Sequence, residues 1–221
     1  VTRPPRLSFA VQAHPSRREA AEALASGLPG GSVVYDPDPD GPRSAWRTYR
    51  LVLETTPPDA SHRLIAQDDV EVCPHFAAAA AAAIAARPDR VIAFFVAGRP
   101  PEHAAAIFAA CRAGSHWADL RNDRWCPAIA LAWPTDLIGP FLEFVDAQNW
   151  PPSFRADDEI IGRFLRHAGI RAAATVPSLV EHWDVEPSVF RHGRARAGAD
   201  LGRVAACYIH SEDDAREIDW A

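Results

Sequence analysis

From Leu7 onward, short apolar runs alternate with segments of helical spacing, each separated from the next by a turn. That alternation marks an α/β layered fold, because each strand and each helical stripe must bury its apolar side against the other. Residues 7–13 are predicted as a buried first strand, and residues 16–27 as a helix capped by Ser16 and stopped by Gly27. Residues 32–35 form a second strand that runs into Asp36-Pro37-Asp38-Pro39-Asp40-Gly41, a turn-rich stretch. A helix over 44–56 is closed by Pro57-Pro58, and residues 62–67 make a third strand. Pro74 opens an alanine-rich helix, as proline does at a first helical position. Strands over 90–97 and 128–133 follow, with helices over 102–113 and from Pro134 to about Ala147. A helix over 157–168 precedes two short strand-like runs, 172–176 and 179–182. Residues 187–202 are rich in Arg, Gly and His without periodicity, which predicts a mobile loop.

At 221 residues the chain can bury a core without disulfide staples, and one domain accommodates it. Apolar residues at 48% and charged residues at 24% exclude the collagenous and disordered classes. All 23 basic residues are arginine, and the net charge of −6 argues against a generic nucleic-acid coat. Cys73, Cys111, Cys126 and Cys207 form no CxxC or Cys/His ligand spacing, so a reduced, cytoplasmic chain is expected. The most apolar stretch, 77–86, is about half a bilayer span, so no membrane span is expected, and no signal-peptide pattern opens the sequence. The chain contains no Walker loop, no GxGxxG and no GxSxG elbow.

The most informative segment is His62-Arg63-Leu64-Ile65-Ala66-Gln67-Asp68-Asp69-Val70. Its apolar residues carry a strand inward, and two adjacent carboxylates emerge at the carboxyl end, the end that faces the ligand crevice in open α/β sheets. Adjacent acids at a buried edge repel one another unless a cation or hydrogen bonds compensate. Oxygen ligands of this kind suit Mg²⁺ or Mn²⁺. A solvated turn, or an acid pair at a helix N-terminus, is the competing explanation.

A strand ending in an acid pair of the DxD kind, third in an alternating chain, resembles the GT-A-type nucleotide-sugar glycosyltransferases. Other landmarks fall in the family's order: Ala13-His14-Pro15 after the first strand, Asp36 after the second, Asp157-Asp158-Glu159 opening a helix, and Val176-Pro177-Ser178-Leu179-Val180-Glu181-His182. The resemblance covers roughly residues 5–200. It implies a single GT-A-like (Rossmann-like) domain with a mixed, mostly parallel sheet flanked by helices. Residues 1–186 would form that domain, with the loop and tail of 187–221 packed on it. The activity implied is metal-dependent transfer of a sugar from a nucleoside-diphosphate donor, UDP being the commonest, to a hydroxyl acceptor, with inversion preferred. Asp69 would be the direct ligand of Mn²⁺ or Mg²⁺, Asp68 would touch the ribose or a metal-bound water, and His182 would complete the metal site. Asp36 and the backbone near Ala13 would border the base and ribose. Asp158 or Asp157 would be the base facing the acceptor. Gln67 departs from relatives that carry a third acid there.

Several residues keep two explanations at this stage. Asp157-Asp158-Glu159 is equally a helix start stabilised by the dipole. His14 is either a donor contact or a turn residue. Arg191 and Arg194, in a loop with glycine hinges, would close over a diphosphate through bidentate contacts, or lie solvated on the surface. Trp117 and Trp125 either stack on an acceptor or bury themselves under a loop. Two other functions remain open: a nucleotidyltransferase using the same acids and metal, and a non-catalytic nucleotide- or glycan-binding relative.

Overall fold

A computed structural model describes residues 4–99, 101–121, 125–151, 154–182, 204–210 and 212–221. In chain order the strands are β1 (Leu7–Ala13), β2 (Ser32–Tyr35), β3 (His62–Gln67), β4 (Val70–Val72), β5 (Ile92–Ala93), β6 (Trp117–Asp119), β7 (Ala130–Pro134), β8 (Ala173–Thr175) and β9 (Val180–His182). The helices are α1 (Arg18–Ser26), α2 (Ala45–Glu54), α3 (Phe76–Ala86), α4 (Pro101–Ala113), α5 (Ile138–Asp146) and α6 (Asp157–His167). Seven strands form one sheet in the order β2-β1-β3-β7-β5-β8-β6, and β4 pairs with β9 in a separate antiparallel ribbon. In the sheet β2, β1, β3, β5 and β8 run one way and β7 and β6 the other, a mixed and mostly parallel arrangement.

Both faces of the sheet are covered, which explains why Phe9–Val11 of β1 and Leu64–Ala66 of β3 are apolar without alternation. On one face Ala10, Ile65, Leu131 and Trp133 meet α2, α5 and α6, where Trp133 stacks on Phe141 at 4.9 Å and donates its indole N–H to the Tyr49 hydroxyl at 2.7 Å. On the other, Phe9, Leu64 and Ala132 pack against α3, whose alanines let its axis lie close. Ile209 and Trp220 join this second core, and the Trp117 indole donates to the Trp220 carbonyl at 3.0 Å. Trp117 is therefore a core residue. No helix among the described residues is long and apolar enough to cross a membrane.

Some elements differ from expectation for local reasons. The α3 helix begins at Phe76 because His75 takes a left-handed conformation (φ 61°), leaving Pro74 in the preceding turn. Ahead of α1, residues 15–17 form a 3₁₀ turn capped by the ring of His14, which accepts from the Ser16 N–H, so Ser16 is not the cap. The fourth strand shortens to Ile92–Ala93. Beyond it the chain stays hydrogen-bonded but changes partners, Phe94 donating to Ala130 and Val96 accepting from Ala206. The sequence does not announce β4 or β6, each three residues long.

The register matters most for function. Gln12 of β1 stands beside Gln67 of β3, and Ala13 beside Tyr35 of β2. The residues that follow these three parallel strands, His14, Asp36 and Asp68, therefore emerge along one edge. Residues 183–203, which include Arg191 and Arg194, lie outside the described residues.

Candidate active site

Asp68 and Asp69 form the turn between β3 and β4, and both are buried. Their compensation comes from a residue the sequence did not single out. Arg17, in the turn after β1, places Nη2 2.5 Å from Asp68 Oδ1 and Nη1 3.1 Å from Asp69 Oδ2. The His14 backbone N–H donates to the other Asp68 oxygen at 2.8 Å. The β4–β9 ribbon pairs Val70 with His182, and this sets His182 Nε2 3.5 Å from Asp69 Oδ2. Burial pushes Asp69 up, but contact with His182 and the charge of Arg17 outweigh it, and its pKa falls below the usual carboxylate value. For Asp68 burial prevails over Arg17 and the His14 N–H, and its pKa rises. Asp69 is thus the more firmly ionised of the two.

A second acid pair opens α6. The buried Asp157 accepts the Asp158 N–H at 2.9 Å through Oδ1, while Asp158 accepts the Glu159 N–H through Oδ1 and the Trp125 indole N–H through Oδ2. Burial, reinforced for Asp158 by the charge of Asp157, pushes these carboxyls up to about 6 and about 7. Asp69 also raises Asp157 through space, and Gln12 lies against Asp157 with its amide donating to the Ala45 carbonyl at 2.9 Å. The two acid pairs thus share an electrostatic field at the same edge.

These shifts carry a pH signature. Asp157 titrates near 6 when folded and near 3.8 when not, so the folded state holds the extra proton between those values, and stability falls as pH rises through 6. Asp157→Asn removes this burden. The variant is expected to gain on the order of 2–3 kcal/mol over the parent at pH 8 and almost nothing at pH 4. Thermal unfolding at the two pH values measures this, and an equal difference at both would contradict it.

At the end of β2, Asp36 is engaged by Arg47 in a bidentate pair, Nε and Nη2 each at 2.7 Å, and its N–H donates to the Ala13 carbonyl at 2.9 Å. Burial raises the Asp36 pKa, but the Arg47 hydrogen bonds outweigh it and leave it lowered. Ala13, His14, Asp36 and Asp68 therefore stand together, Asp69 and His182 form a second contact, and Asp157 and Asp158 a third group. The sequence reading missed Arg17, Gln12 and Arg47, and it singled out Trp125 without its contact to Asp158. Gln12 had a legible signal, a polar side chain in an otherwise apolar inner strand. So had Arg17, since a cation at a helix start opposes the dipole and calls for an acidic partner.

Among the described residues no three or more His, Cys, Asp and Glu side chains gather to hold a metal ion. The donors still suit a hard cation that completes its shell elsewhere. Asp69 Oδ1 is buried without a hydrogen-bond partner beside His182, while both Asp68 oxygens are taken. Mg²⁺ and Mn²⁺ characteristically accept one or two protein ligands and fill the rest with water and phosphate oxygens. Compared with known proteins, the chain matches no model of a protein family, and no curated protein matches it in sequence.

Proposed function

We propose that the protein is a GT-A-type, metal-dependent glycosyltransferase that moves a sugar from a nucleoside diphosphate to a hydroxyl acceptor with inversion at the anomeric carbon. The observation that carries this reading is the division of labour between two acid pairs at one sheet edge. Asp69 is held ionised beside a cation, and Asp158 is tuned to about 7. Environments that push neighbouring carboxyls apart in this way separate ligand-holding from proton-transfer roles.

Asp69, with His182, would hold Mn²⁺ or Mg²⁺, which as a Lewis acid would stabilise the diphosphate as it leaves. Asp36, Asp68 and the backbone of Ala13 and His14 would border the nucleoside, UDP being the favoured donor nucleotide. Arg17, which bridges Asp68 and Asp69, would hold that acid pair in place beneath the phosphates. At the other face of the sugar Asp158 takes the proton of the acceptor hydroxyl. The acceptor oxygen bonds to the anomeric carbon, and the pair of the breaking C–O bond passes to the leaving phosphate. A base is most effective with its pKa near the working pH, as Asp158's is. A cytoplasmic setting is part of the proposal, in keeping with four cysteines that fall in no CxxC or Cys/His spacing. Titration with nucleoside diphosphates, with and without Mn²⁺, tests the reading: one diphosphate binds, and its binding needs the ion.

A further inference from the structure

The fold sorts the four scattered cysteines into two kinds. Cys73 and Cys126 are buried, one in the core on each face of the sheet. Cys111 and Cys207, far apart in the chain, meet near the surface, their thiols in hydrogen-bonding contact, with Cys111 exposed and Cys207 half-buried. Cys111 sits in the last turn of α4, one turn after Ile107 and beside Ala110, both of which belong to the core. Cys207 packs against that same core from the C-terminal segment 204–209. Backbone bonds fix this segment on two sides. The Ala206 N–H donates to the Val96 carbonyl at 2.8 Å and the Gly98 N–H to the Val204 carbonyl at 3.1 Å, while the Cys207 carbonyl accepts the Ser178 N–H at 2.7 Å. The segment also reaches the candidate site. One oxygen of Glu181 in β9 accepts both the Ala205 N–H at 2.8 Å and the His182 N–H at 2.9 Å.

We propose that Cys111 and Cys207 form a reversible disulfide by exchange with glutathione disulfide, and that the bond clamps the C-terminal segment, which braces β9, to α4. The proposal does not depend on the glycosyltransferase reading. Two sulfurs already in contact need little backbone movement to bond. Disulfides in cytosolic proteins are commonly of this transient, redox-sensing kind. Exchange begins when a thiolate attacks a disulfide sulfur. Cys111, the more accessible, attacks one sulfur of glutathione disulfide, so that a Cys111–glutathione bond forms and one glutathione leaves. Cys207 then gives its proton to solvent, its sulfur attacks Cys111 Sγ, and the second glutathione leaves. Two protein thiols are oxidised and one glutathione disulfide is reduced to two glutathiones. Burial, then contact with Cys111, pushes the Cys207 thiol up to about 11, so at neutral pH Cys207 is the protonated partner and Cys111 reacts first. The loop closed between them is long, and closing it removes much freedom from the unfolded chain.

The test equilibrates the reduced full chain with glutathione disulfide, blocks the remaining thiols with N-ethylmaleimide and maps the peptides by mass without reduction. The parent is expected to yield one cross-linked pair, Cys111 with Cys207, to melt roughly 5–10 °C higher than the reduced form, and to revert with dithiothreitol. Amide hydrogen exchange over residues 204–209 should slow in the oxidised form. Cys207→Ser should stop at a glutathione adduct on Cys111 with no rise in melting. Cys111→Ser, at an exposed position, should give neither adduct nor cross-link at this pair. A parent that keeps both thiols free, ends as the glutathione adduct, or bonds Cys111 to a second copy of the chain overturns the pairing. A cross-link that leaves melting and the exchange of 204–209 unchanged overturns the clamp.

Discussion

Asp158→Asn is expected to lower sugar transfer by about 10²–10⁴-fold, the usual contribution of a positioned general base, and to leave donor binding intact. The parent rate should climb with pH and level off above about 7, because only the ionised carboxylate accepts the hydroxyl proton. In the Asn variant that rising limb disappears. Asp158, and not its more buried neighbour, is the base because it is half-buried and its carboxylate is aimed by the Trp125 indole. Trp125→Phe removes a donor that favours the charged form, so the limb should move to higher pH. Rates and pH profiles of the three proteins decide the matter. An Asn variant with parental rate would remove Asp158 from the chemistry.

Arg17→Ala carries the largest expected loss of stability, about 3–5 kcal/mol, because removing one member of a buried ion cluster strands the others. The Arg17 side chain is 11% exposed and those of Asp68 and Asp69 are 1% and 10% exposed, so water relieves little of the repulsion. The loss should be greater at high than at low pH, because burial raises the Asp68 pKa and its protonation on acidification relieves the stranded charge. Mn²⁺ should restore part of it by substituting one cation for another. Chemical denaturation of the variant at both pH values, with and without the ion, measures all three effects. A loss below about 1 kcal/mol would mean that the pair behaves as a solvated surface bridge.

The fold was legible where periodicity and punctuation agreed. Leu7–Ala13, Ser32–Tyr35 and His62–Gln67 are bounded by turn residues, the first and third are largely buried, and the structure places all three as parallel neighbours. The short runs at 172–176 and 179–182 were legible and form β8 and β9, whereas β4 and β6 were not, because β4 exists only through its pairing with β9, over 100 residues along the chain. The same holds in the site. Asp68-Asp69 and Asp157-Asp158 announce themselves as adjacent acids, but nothing local to Arg17 says that it will meet a turn some 50 residues later. Parallel register makes that contact, just as the docking of α6 brings Trp125 to Asp158, 33 positions away.

Thermal unfolding with UDP, GDP, CDP and ADP, each with and without Mn²⁺, is the most direct test of the central claim that the Asp68-Asp69 edge is a nucleoside-diphosphate site. A ligand at 100 times its dissociation constant stabilises a folded protein by about 2.7 kcal/mol, well within what a melting curve resolves. One diphosphate, with UDP favoured, is expected to raise the transition only when Mn²⁺ is present, and Asp69→Ala is expected to abolish the rise. Unchanged melting with all four nucleotides, or a shift that ignores both Mn²⁺ and Asp69→Ala, would contradict the account and leave the acid pair as a structural turn closed by Arg17.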